Sequence, residues 1–387
     1  MFLREQLFEQ LHQPVDPSGR RGYAYGRSPC LGATPALFRE PSTRRDLAGR
    51  NPLPGAPLKR IGITGAAGFI GSHLTDRLLA DDHEVVGVDD LSRGTLLNLE
   101  SALEHPKFRL EVIDCGDRRA LRSAFKRCDA IVHLAAKKIP RYGGALATLE
   151  ENVRGSEVVA NVALALDADL VIASTSDVYG NANPPFAEDD NLVLGPPTTR
   201  RWAYAVSKLY DEHVALALAE ERGLRVTILR LFGAYGPRNH PTWWGGPQSA
   251  FIETLLDGES VEIHGDGQQV RTFTYIGDTV DGFVRALRTP EARGEVINVG
   301  GTKPTAILRL AELIQSMLEI PQPLRARFVP YESLPGRYQD VRIRIPDVQK
   351  AERILGFKAS VSLDEGLPRT IAWHRERRAT EQEAARA

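Results

Sequence analysis

Gly65-Ala66-Ala67-Gly68-Phe69-Ile70-Gly71 joins an apolar run at 59–64, which predicts a buried strand, to a segment at 72–79 whose leucines share one face and predict a helix. In such a loop the first glycine permits a tight turn, the second lets the backbone approach a phosphate, and the third allows the helix to pack closely on the sheet. The helix N-terminus offers free N–H groups to an anion. The segment therefore predicts a loop that holds the pyrophosphate of a dinucleotide, although glycine turns also occur for packing alone.

Acidic residues follow the second predicted strand, at 84–88. Asp89 and Asp90 come about 18 residues after Gly71, close to the spacing at which a carboxylate accepts hydrogen bonds from an adenosine ribose. Arg93 is of a type that receives a 2′-phosphate, but an aspartate at the strand end would repel that group. The sequence therefore favours NAD over NADP.

Tyr204 and Lys208 stand four residues apart in a segment, 204–221, that is rich in Ala and Leu and predicts a helix, so both side chains share one face. A free tyrosine has a pKa near ~10, and lowering it to about 7 requires about 4 kcal/mol of preferential stabilisation of the phenolate. An adjacent ammonium and a positive nicotinamide ring can supply this stabilisation. The pair predicts a base for an alcohol proton; the alternative is an exposed tyrosine beside a solvated lysine.

The order of strands and helices from 59 to 173 predicts a parallel, doubly wound sheet. A strand at 170–173 leads into the hydroxyl-rich run 174–180, Ser-Thr-Ser-Asp-Val-Tyr-Gly. Because open α/β sheets bind ligands at the carboxyl ends of their strands, this run is expected at the same edge as the glycine loop.

In combination, these motifs resemble the extended short-chain dehydrogenases that modify nucleotide sugars, the epimerase and dehydratase family, over residues 59 to about 375. Asp114, the run 133–136 (His-Leu-Ala-Ala), Asn152 and the run 230–238 match in order as well. The resemblance implies an α/β Rossmann-type fold with a smaller C-terminal substrate-binding lobe, and NAD as the cofactor. The residues that it assigns to the cofactor are Gly65, Ala67, Gly68, Phe69, Ile70, Gly71, Asp89, Asp90, Leu91, Ser92, Arg93, Asp114, Cys115, Leu134, Ala135, Ala136, Asn152, Tyr204 and Lys208. Asp114 as a turn cap, Asn152 as a structural tie and Cys115 as a small buried hydrophobe are the plain alternatives for single residues.

The same resemblance assigns the catalytic groups. Thr175 would hydrogen-bond the substrate hydroxyl, Tyr204 would be the base, and Lys208 would hold the nicotinamide ribose and lower the pKa of Tyr204. All members first oxidise a sugar hydroxyl to a ketone, with hydride passing to NAD⁺, and the ketone then acidifies neighbouring C–H bonds.

Residues 175–177 bear on the second half of the reaction. Relatives that dehydrate or decarboxylate carry a threonine, then an acid or serine, then a glutamate, and this chain has Thr175, Ser176 and Asp177. Asp177 would remove the acidified proton, with Ser176, water, Glu188 or Tyr179 as the acid, or it would only cap the following turn. We expect a dehydratase, with UDP-sugar 4-epimerisation and then UDP-uronic acid decarboxylation as alternatives.

Substrate recognition is less determined by sequence. Gly233 stands where relatives that act on UDP-sugars usually have asparagine, which argues against ordinary UDP-hexose recognition and leaves another nucleotide sugar or a nucleoside-linked sugar. The tryptophans at 243 and 244 cover a sugar ring or belong to the core of the lobe. The candidate substrate-binding residues are Lys138, Gly233, Arg238, His240, Trp243, Trp244, Arg271 and Arg337.

Domain boundaries follow from the motif positions. Residues 1–57 form an extension, loosely ordered or covering the lobe or a partner, with one short helix predicted at 3–11. Residues 58–180 form the core of the NAD-binding domain, continued by about 204–235 and 275–303. The lobe comprises about 181–203, 236–274 and 304–375, and 376–387 is a charged tail.

Composition narrows the class of protein only slightly. A formal net charge of −1 gives no reason to expect nucleic acid or membrane-surface binding, and no apolar run approaches the ~18 residues of a membrane span. Three cysteines without metal-type spacing predict reduced thiols and no metal. We expect a cytoplasmic enzyme and, as the resemblance implies, a homodimer through the helices near Asn152 and Tyr204. An oxidoreductase that releases NADH and a non-catalytic NAD-binding protein are the alternatives from other classes.

Overall fold

A computed structural model describes residues 60–138, 144–334 and 337–386. The predicted extension and its helix lie outside these residues. The helices are α1 (Phe69–Ala80), α2 (Glu100–Leu103), α3 (Arg118–Ala124), α4 (Ala145–Leu166), α5 (Trp202–Arg222), α6 (Pro247–Leu256), α7 (Ile276–Arg288), α8 (Ile307–Met317), α9 (Gln349–Leu355) and α10 (Leu363–Arg386). The strands are β1 (Arg60–Thr64), β2 (Glu84–Asp89), β3 (Phe108–Val112), β4 (Ala130–His133), β5 (Asp169–Thr175), β6 (Val226–Leu231), β7 (Ala234–Tyr235), β8 (Val261–His264), β9 (Val270–Arg271), β10 (Thr274–Tyr275), β11 (Val296–Val299), β12 (Thr305–Ala306), β13 (Ala326–Val329) and β14 (Ile343–Arg344).

Seven parallel strands form the central sheet in the order β11-β6-β5-β4-β1-β2-β3. The chain runs outward from β1 to β3, returns to β4 and continues to the other edge, which confirms the predicted doubly wound Rossmann-type fold. The strands read as nearly continuous apolar runs because helices cover both faces of the sheet.

Alternate residues of each strand enter two different cores. In β5, Leu170 and Ile172 pack with α3, α4 and α5, whereas Val171 packs with α1 and α7. This alternation follows from the two-residue period of a strand, and it fixes which face each helix covers. The strand extends two residues beyond the predicted end, so Ser174 and Thr175 belong to β5 itself, and Ser176–Tyr179 forms a 3-10 turn.

A smaller set of elements follows β6. It comprises α6, α8 and α10, the parallel pair β8 and β13, the three-stranded sheet β12-β9-β14 and the pair β7 and β10. These elements share a third apolar core that includes Phe251, Ile263 and Leu310. The predicted charged tail is the last part of α10, which begins at Leu363. Among the described residues, no helix is both long enough and apolar enough to span a membrane.

Candidate active site

The glycine loop has the geometry that an anion requires. Gly65 has a φ of +73°, and a Cβ at Gly71 would lie 2.1 Å from the carbonyl oxygen of Gly65, so neither position accepts a side chain without a shift. Helix α1 begins at Phe69, and its N-cap Gly68 has no side chain to cap the first turn. Its backbone N–H groups therefore remain available to a pyrophosphate, and the loop fits the dinucleotide predicted for it.

Asp89 connects the end of β2 to this loop. Its Oδ2 accepts from the N–H of Ala67 and its Oδ1 from the N–H of Leu91, both at 2.9 Å. Burial raises the pKa of Asp89 to about 6 although both hydrogen bonds oppose the shift. Asp90 is exposed and accepts from the N–H and the hydroxyl of Ser92. Asp89 is thus the buried carboxylate suited to a ribose, whereas Asp90 shapes the turn.

Arg93 and Trp244 join this turn to the loop before α6. The guanidinium carbon of Arg93 lies 4.2 Å from the centre of the Trp244 ring, a cation–π contact. Trp243 instead stacks on His264 at 4.6 Å between ring centres and packs against the core of the smaller lobe. Of the two tryptophans, Trp243 therefore belongs to the lobe core, and Trp244 faces the cofactor half.

Asn152 and Asp114, both assigned to the cofactor, make mainly structural contacts. The side chain of Asn152 accepts from the N–H of Lys137 at 2.7 Å and donates to the carbonyl of Lys137 and to the Ser207 hydroxyl, so it ties the loop after β4 to α5. Asp114 pairs with Arg154 and accepts the N–H of Gly116, an exposed arrangement.

Cys115 is half-buried beside this loop. Burial, followed by the charge of Asp114, raises the pKa of its thiol to about 12. The thiolate is therefore disfavoured, and Cys115 acts as a small apolar side chain.

Tyr204 and Lys208 lie on one face of α5, as predicted. The Lys208 Nζ is buried and donates to Oδ2 of Asp211 at 2.7 Å. Burial and the charges of Asp177 and Asp211 raise the pKa of Tyr204 above its ordinary value, against a hydrogen bond with the Thr175 hydroxyl. Tyr204 therefore touches the predicted substrate partner Thr175, but the protein alone does not make its phenol basic.

Asp177 lies beside this pair in a double ion pair. Its Oδ1 accepts from Arg201 and from Arg344, both at 2.8 Å. Burial opposes the shift, but the charges of Arg344 and Arg201 hold the pKa of Asp177 below its ordinary range. A carboxylate so stabilised is a weak base. The turn that contains it is capped by Thr175, whose hydroxyl accepts the Asp177 N–H at 3.2 Å, and not by the Asp177 side chain.

Arg271 and Asp340 extend this ion pair. We call the whole group the arginine cluster; it consists of Arg201, Arg271, Arg344, Asp177 and Asp340. Asp340 accepts from Arg201 at 2.7 Å and from Arg271 at 2.8 Å. Three guanidinium groups thus meet two carboxylates, which leaves one positive charge in excess.

Burial and neighbouring like charges lower the pKa of one arginine in the cluster. Burial, followed by the charges of Arg344 and Arg201, lowers the pKa of Arg271 to about 10, with Asp340 opposing the shift. The Nε of Arg344 is also buried without a hydrogen-bond partner among the described residues. The cluster therefore has the charge and a donor for an anionic ligand. Sequence reasoning named Arg271 and Asp177, but it missed Arg201, Arg344 and Asp340.

The remaining predicted substrate residues differ in position. Arg238, a candidate substrate-binding residue, pairs with Asp76 of α1 at 2.6 Å and is not part of the arginine cluster. Lys138 lies within electrostatic reach of both Asp177 and His240. Arg337 is exposed.

The local surroundings of Gly233 and His240 limit what each position can do. Gly233 has a φ of +54°, and a Cβ there would lie 2.1 Å from the carbonyl oxygen of Thr272, which explains why asparagine is absent. The Nδ1 of His240 lies 3.0 Å from the Thr242 hydroxyl, and burial, followed by the charge of Lys138, lowers the pKa of His240 to about 4.

The predicted alternative acids have other partners. The Tyr179 hydroxyl donates to Asn298 at 2.7 Å, and burial raises the pKa of Tyr179 to about 12. Glu188 accepts the N–H of Asn298 at 2.7 Å. Because both groups are bound to β11, neither is held ready to protonate a leaving hydroxide.

Residues 61–300 match the model of the NAD dependent epimerase/dehydratase family. The chain is 34% identical over 322 residues to a UDP-N-acetyl-alpha-D-glucosaminuronate decarboxylase of Bacillus cytotoxicus, covering 82% of this chain and 98% of that protein. It is 30% identical over 333 residues to a UDP-glucuronate 4-epimerase of Thermodesulfobacterium geofontis, covering 81% and 95%. Among solved structures, DesIV, a dTDP-glucose 4,6-dehydratase of Streptomyces venezuelae with NAD and TYD bound, matches with a TM-score of 0.75 and 30% identity, covering 83% and 98%.

Proposed function

The chain belongs to the NAD-dependent epimerase/dehydratase family, and we propose that it decarboxylates a nucleotide-linked uronic acid. At the level of the family it is an NAD-dependent enzyme that modifies nucleotide sugars. The bound cofactor supplies hydride acceptance and return at the sugar carbon. The excess positive charge of the arginine cluster beside Tyr204 is the single observation that carries the finer proposal.

The arginine cluster supports an anionic sugar. Arg201 and Arg344 already share Asp177, and the side chains in the cluster are between 9% and 24% exposed, so a ligand carboxylate would meet guanidinium groups with little competing water. A relative at 34% identity is named for decarboxylation of a uronate. The competing interpretation is that the arginines of this cluster bind only the diphosphate of the substrate. In that case the site would bind a nucleotide-linked neutral sugar equally well.

Decarboxylation also fits the weakness of Asp177 as a base. Tyr204 takes the proton of the sugar hydroxyl while the hydrogen on the same carbon leaves as hydride to the nicotinamide. That carbon becomes a ketone, and it is adjacent to the carbon that bears the carboxylate. The C–C bond to the carboxylate then breaks, CO₂ leaves, and its electron pair moves toward the ketone oxygen, so no base is needed at the neighbouring carbon. A proton then adds to the carbon that lost CO₂. Return of hydride to the ketone carbon, together with return of the proton from Tyr204 to its oxygen, restores the hydroxyl.

Dehydration makes different demands on the same residues. It needs a base for the proton beside the ketone and an acid for the departing hydroxide. Asp177 is held by two arginines, and Ser176 is buried with a hydroxyl that is a poor acid. These contacts support our proposal of decarboxylation over the dehydration favoured from the sequence. UDP-uronate 4-epimerisation remains a second candidate, since the same cluster would bind its carboxylate and a relative carries that name.

Product analysis distinguishes the three reactions. The protein is incubated with NAD⁺ and, separately, UDP-glucuronate, UDP-N-acetylglucosaminuronate and dTDP-glucose in deuterated water, and the products are examined by mass spectrometry and NMR. Loss of CO₂ with deuterium at the former carboxylate-bearing carbon supports the proposal. Loss of water from dTDP-glucose, or an unchanged mass with inverted C4, would replace it by dehydration or 4-epimerisation.

A homodimer through α4 and α5 is also proposed. The two helices pack on each other, and they leave exposed the large apolar side chains of Leu146, Val206 and Tyr210. Such residues on one pair of helices fit an interface with a second copy. Light scattering tests this proposal, since a particle of 42.6 kDa would contradict it.

A further inference from the structure

Asp211 is a buried carboxylate that none of the sequence motifs identified. It follows Lys208 by three residues on α5, and the two side chains are 0% and 2% exposed. Oδ2 of Asp211 accepts from Lys208 at 2.7 Å. Burial raises the pKa of Asp211 against the charge of Lys208 and the hydrogen bonds with Lys208 and with Ser156 of α4. The Asp211 carboxylate and the Lys208 amine are thus enclosed together, and the charge of Asp211 acts on Tyr204 through a weakly screening interior.

Charged and titratable groups lie near this pair on the turn after β5, on α5 itself, on β4 and on β6. Asp177 reaches Tyr204 from the turn after β5, and Glu212 reaches Asp211 from the same helix. From β4, His133 lies within reach of Lys208, and burial lowers its pKa to about 3, so it stays neutral. Arg230 of β6 compensates Glu212 at 2.8 Å, and Lys138 faces Asp177. The charges that act on the phenol are therefore those of Asp177 and Asp211, and Lys208 pairs with Asp211.

We propose that Asp211 is a positioning residue that holds the Lys208 ammonium and offsets its charge, so that Tyr204 becomes a base only when the oxidised cofactor adds its own positive charge. An ammonium has three N–H groups, so Lys208 can donate to Asp211 and to a ribose hydroxyl at once. The proposal rests on proton transfer by Tyr204 and not on which reaction follows it.

The physical consequence is a base that depends on the redox state of the cofactor. Without a cofactor, burial and the charges of Asp177 and Asp211 hold the pKa of Tyr204 above its ordinary value. A positive nicotinamide ring reverses the balance, whereas the neutral reduced ring does not. The buried negative charge of Asp211 also favours binding of the oxidised over the reduced form.

Asp211→Asn tests the proposal with almost no change in volume. In that variant an uncompensated ammonium and a phenol share the site, so the Tyr204 and Lys208 pair releases its first proton at lower pH, whichever group loses it. We expect the acid limb of the kcat/KM profile to move down by about one pH unit. At the acid end of the profile, the ratio of NAD⁺ to NADH affinity, measured by calorimetry, should fall several-fold.

Three control variants separate this role from a structural one. Glu221→Gln removes an exposed charge from the same helix and should move neither readout. Asp211→Glu keeps the charge and should restore the wild-type pH profile. Asp211→Ser serves as a second neutral variant if the asparagine variant does not fold. A folded, NAD-binding neutral variant with an unmoved acid limb and an unchanged affinity ratio overturns the proposal, whatever product the enzyme makes.

Discussion

Replacing Arg344 with glutamine tests which part of the substrate the arginine cluster holds. The change takes the cluster from one excess positive charge to none, while Asp177 keeps its 2.8 Å contact with Arg201. At an effective dielectric constant of about 20, a unit charge about 8 Å away contributes roughly 2 kcal/mol, a factor of about 30 in affinity. We therefore expect the Kd of UDP-glucuronate to rise about 30-fold, and that of UDP-glucose by less than about threefold.

The assay is calorimetry with NAD⁺ present, performed in a Tyr204→Phe background that prevents turnover. Arg342→Gln is the matched control, since Arg342 lies two residues earlier, is 62% exposed and pairs with Asp266 outside the cluster. Equal losses for the charged and the neutral sugar would assign Arg344 to the diphosphate and refute the carboxylate argument. No loss for either sugar would remove Arg344 from the substrate site.

Three further predictions concern the cofactor site and the base. Tyr204→Phe should abolish turnover and leave NAD affinity nearly unchanged in calorimetry; retained turnover would contradict its role. Gly71→Ala places a Cβ 2.1 Å from the Gly65 carbonyl oxygen, so it should cost about 1–3 kcal/mol in urea unfolding and weaken NAD binding, and an unchanged midpoint would be a contrary result. Ribose hydroxyls donate to an ionised carboxylate, and the pKa of Asp89 is raised to about 6. NAD affinity should therefore fall as the pH drops through about 6, by at most about tenfold per pH unit. A flat profile would exclude Asp89 as the ribose acceptor.

The fold and the cofactor could be predicted from sequence because their signals are local. The glycine loop, the strand-end aspartate and the tyrosine and lysine on one helix face each depend on spacings within a few residues of one element. Their partners then follow from the rule that parallel strands bring their carboxyl ends to one edge.

The charge arrangement of the substrate site could not be predicted in the same way. Arg201, Arg271 and Arg344 come from three distant segments, and arginines are common on every surface, so spacing gave no reason to group them. Arg238 was a candidate for the substrate site alongside Arg271, but it has a left-handed φ of +63° and its side chain pairs with Asp76. The lowered pKa of Asp177 depends on Arg201 and Arg344, which are distant in sequence, so it could not be predicted from residues 175–177 alone.

The contacts between the lobe loop and the cofactor half bear on how long the dinucleotide stays. Arg93 lies over Trp244, Arg238 pairs with Asp76, and His73 of α1 lies 3.0 Å from the carbonyl oxygen of Pro237. These contacts fasten the loop to the helix and the turn that flank the dinucleotide site. An enzyme that returns its hydride to the same sugar has no need to exchange its dinucleotide between turnovers. Slow exchange, with the same molecule serving many successive sugars, is the behaviour that such fastening favours.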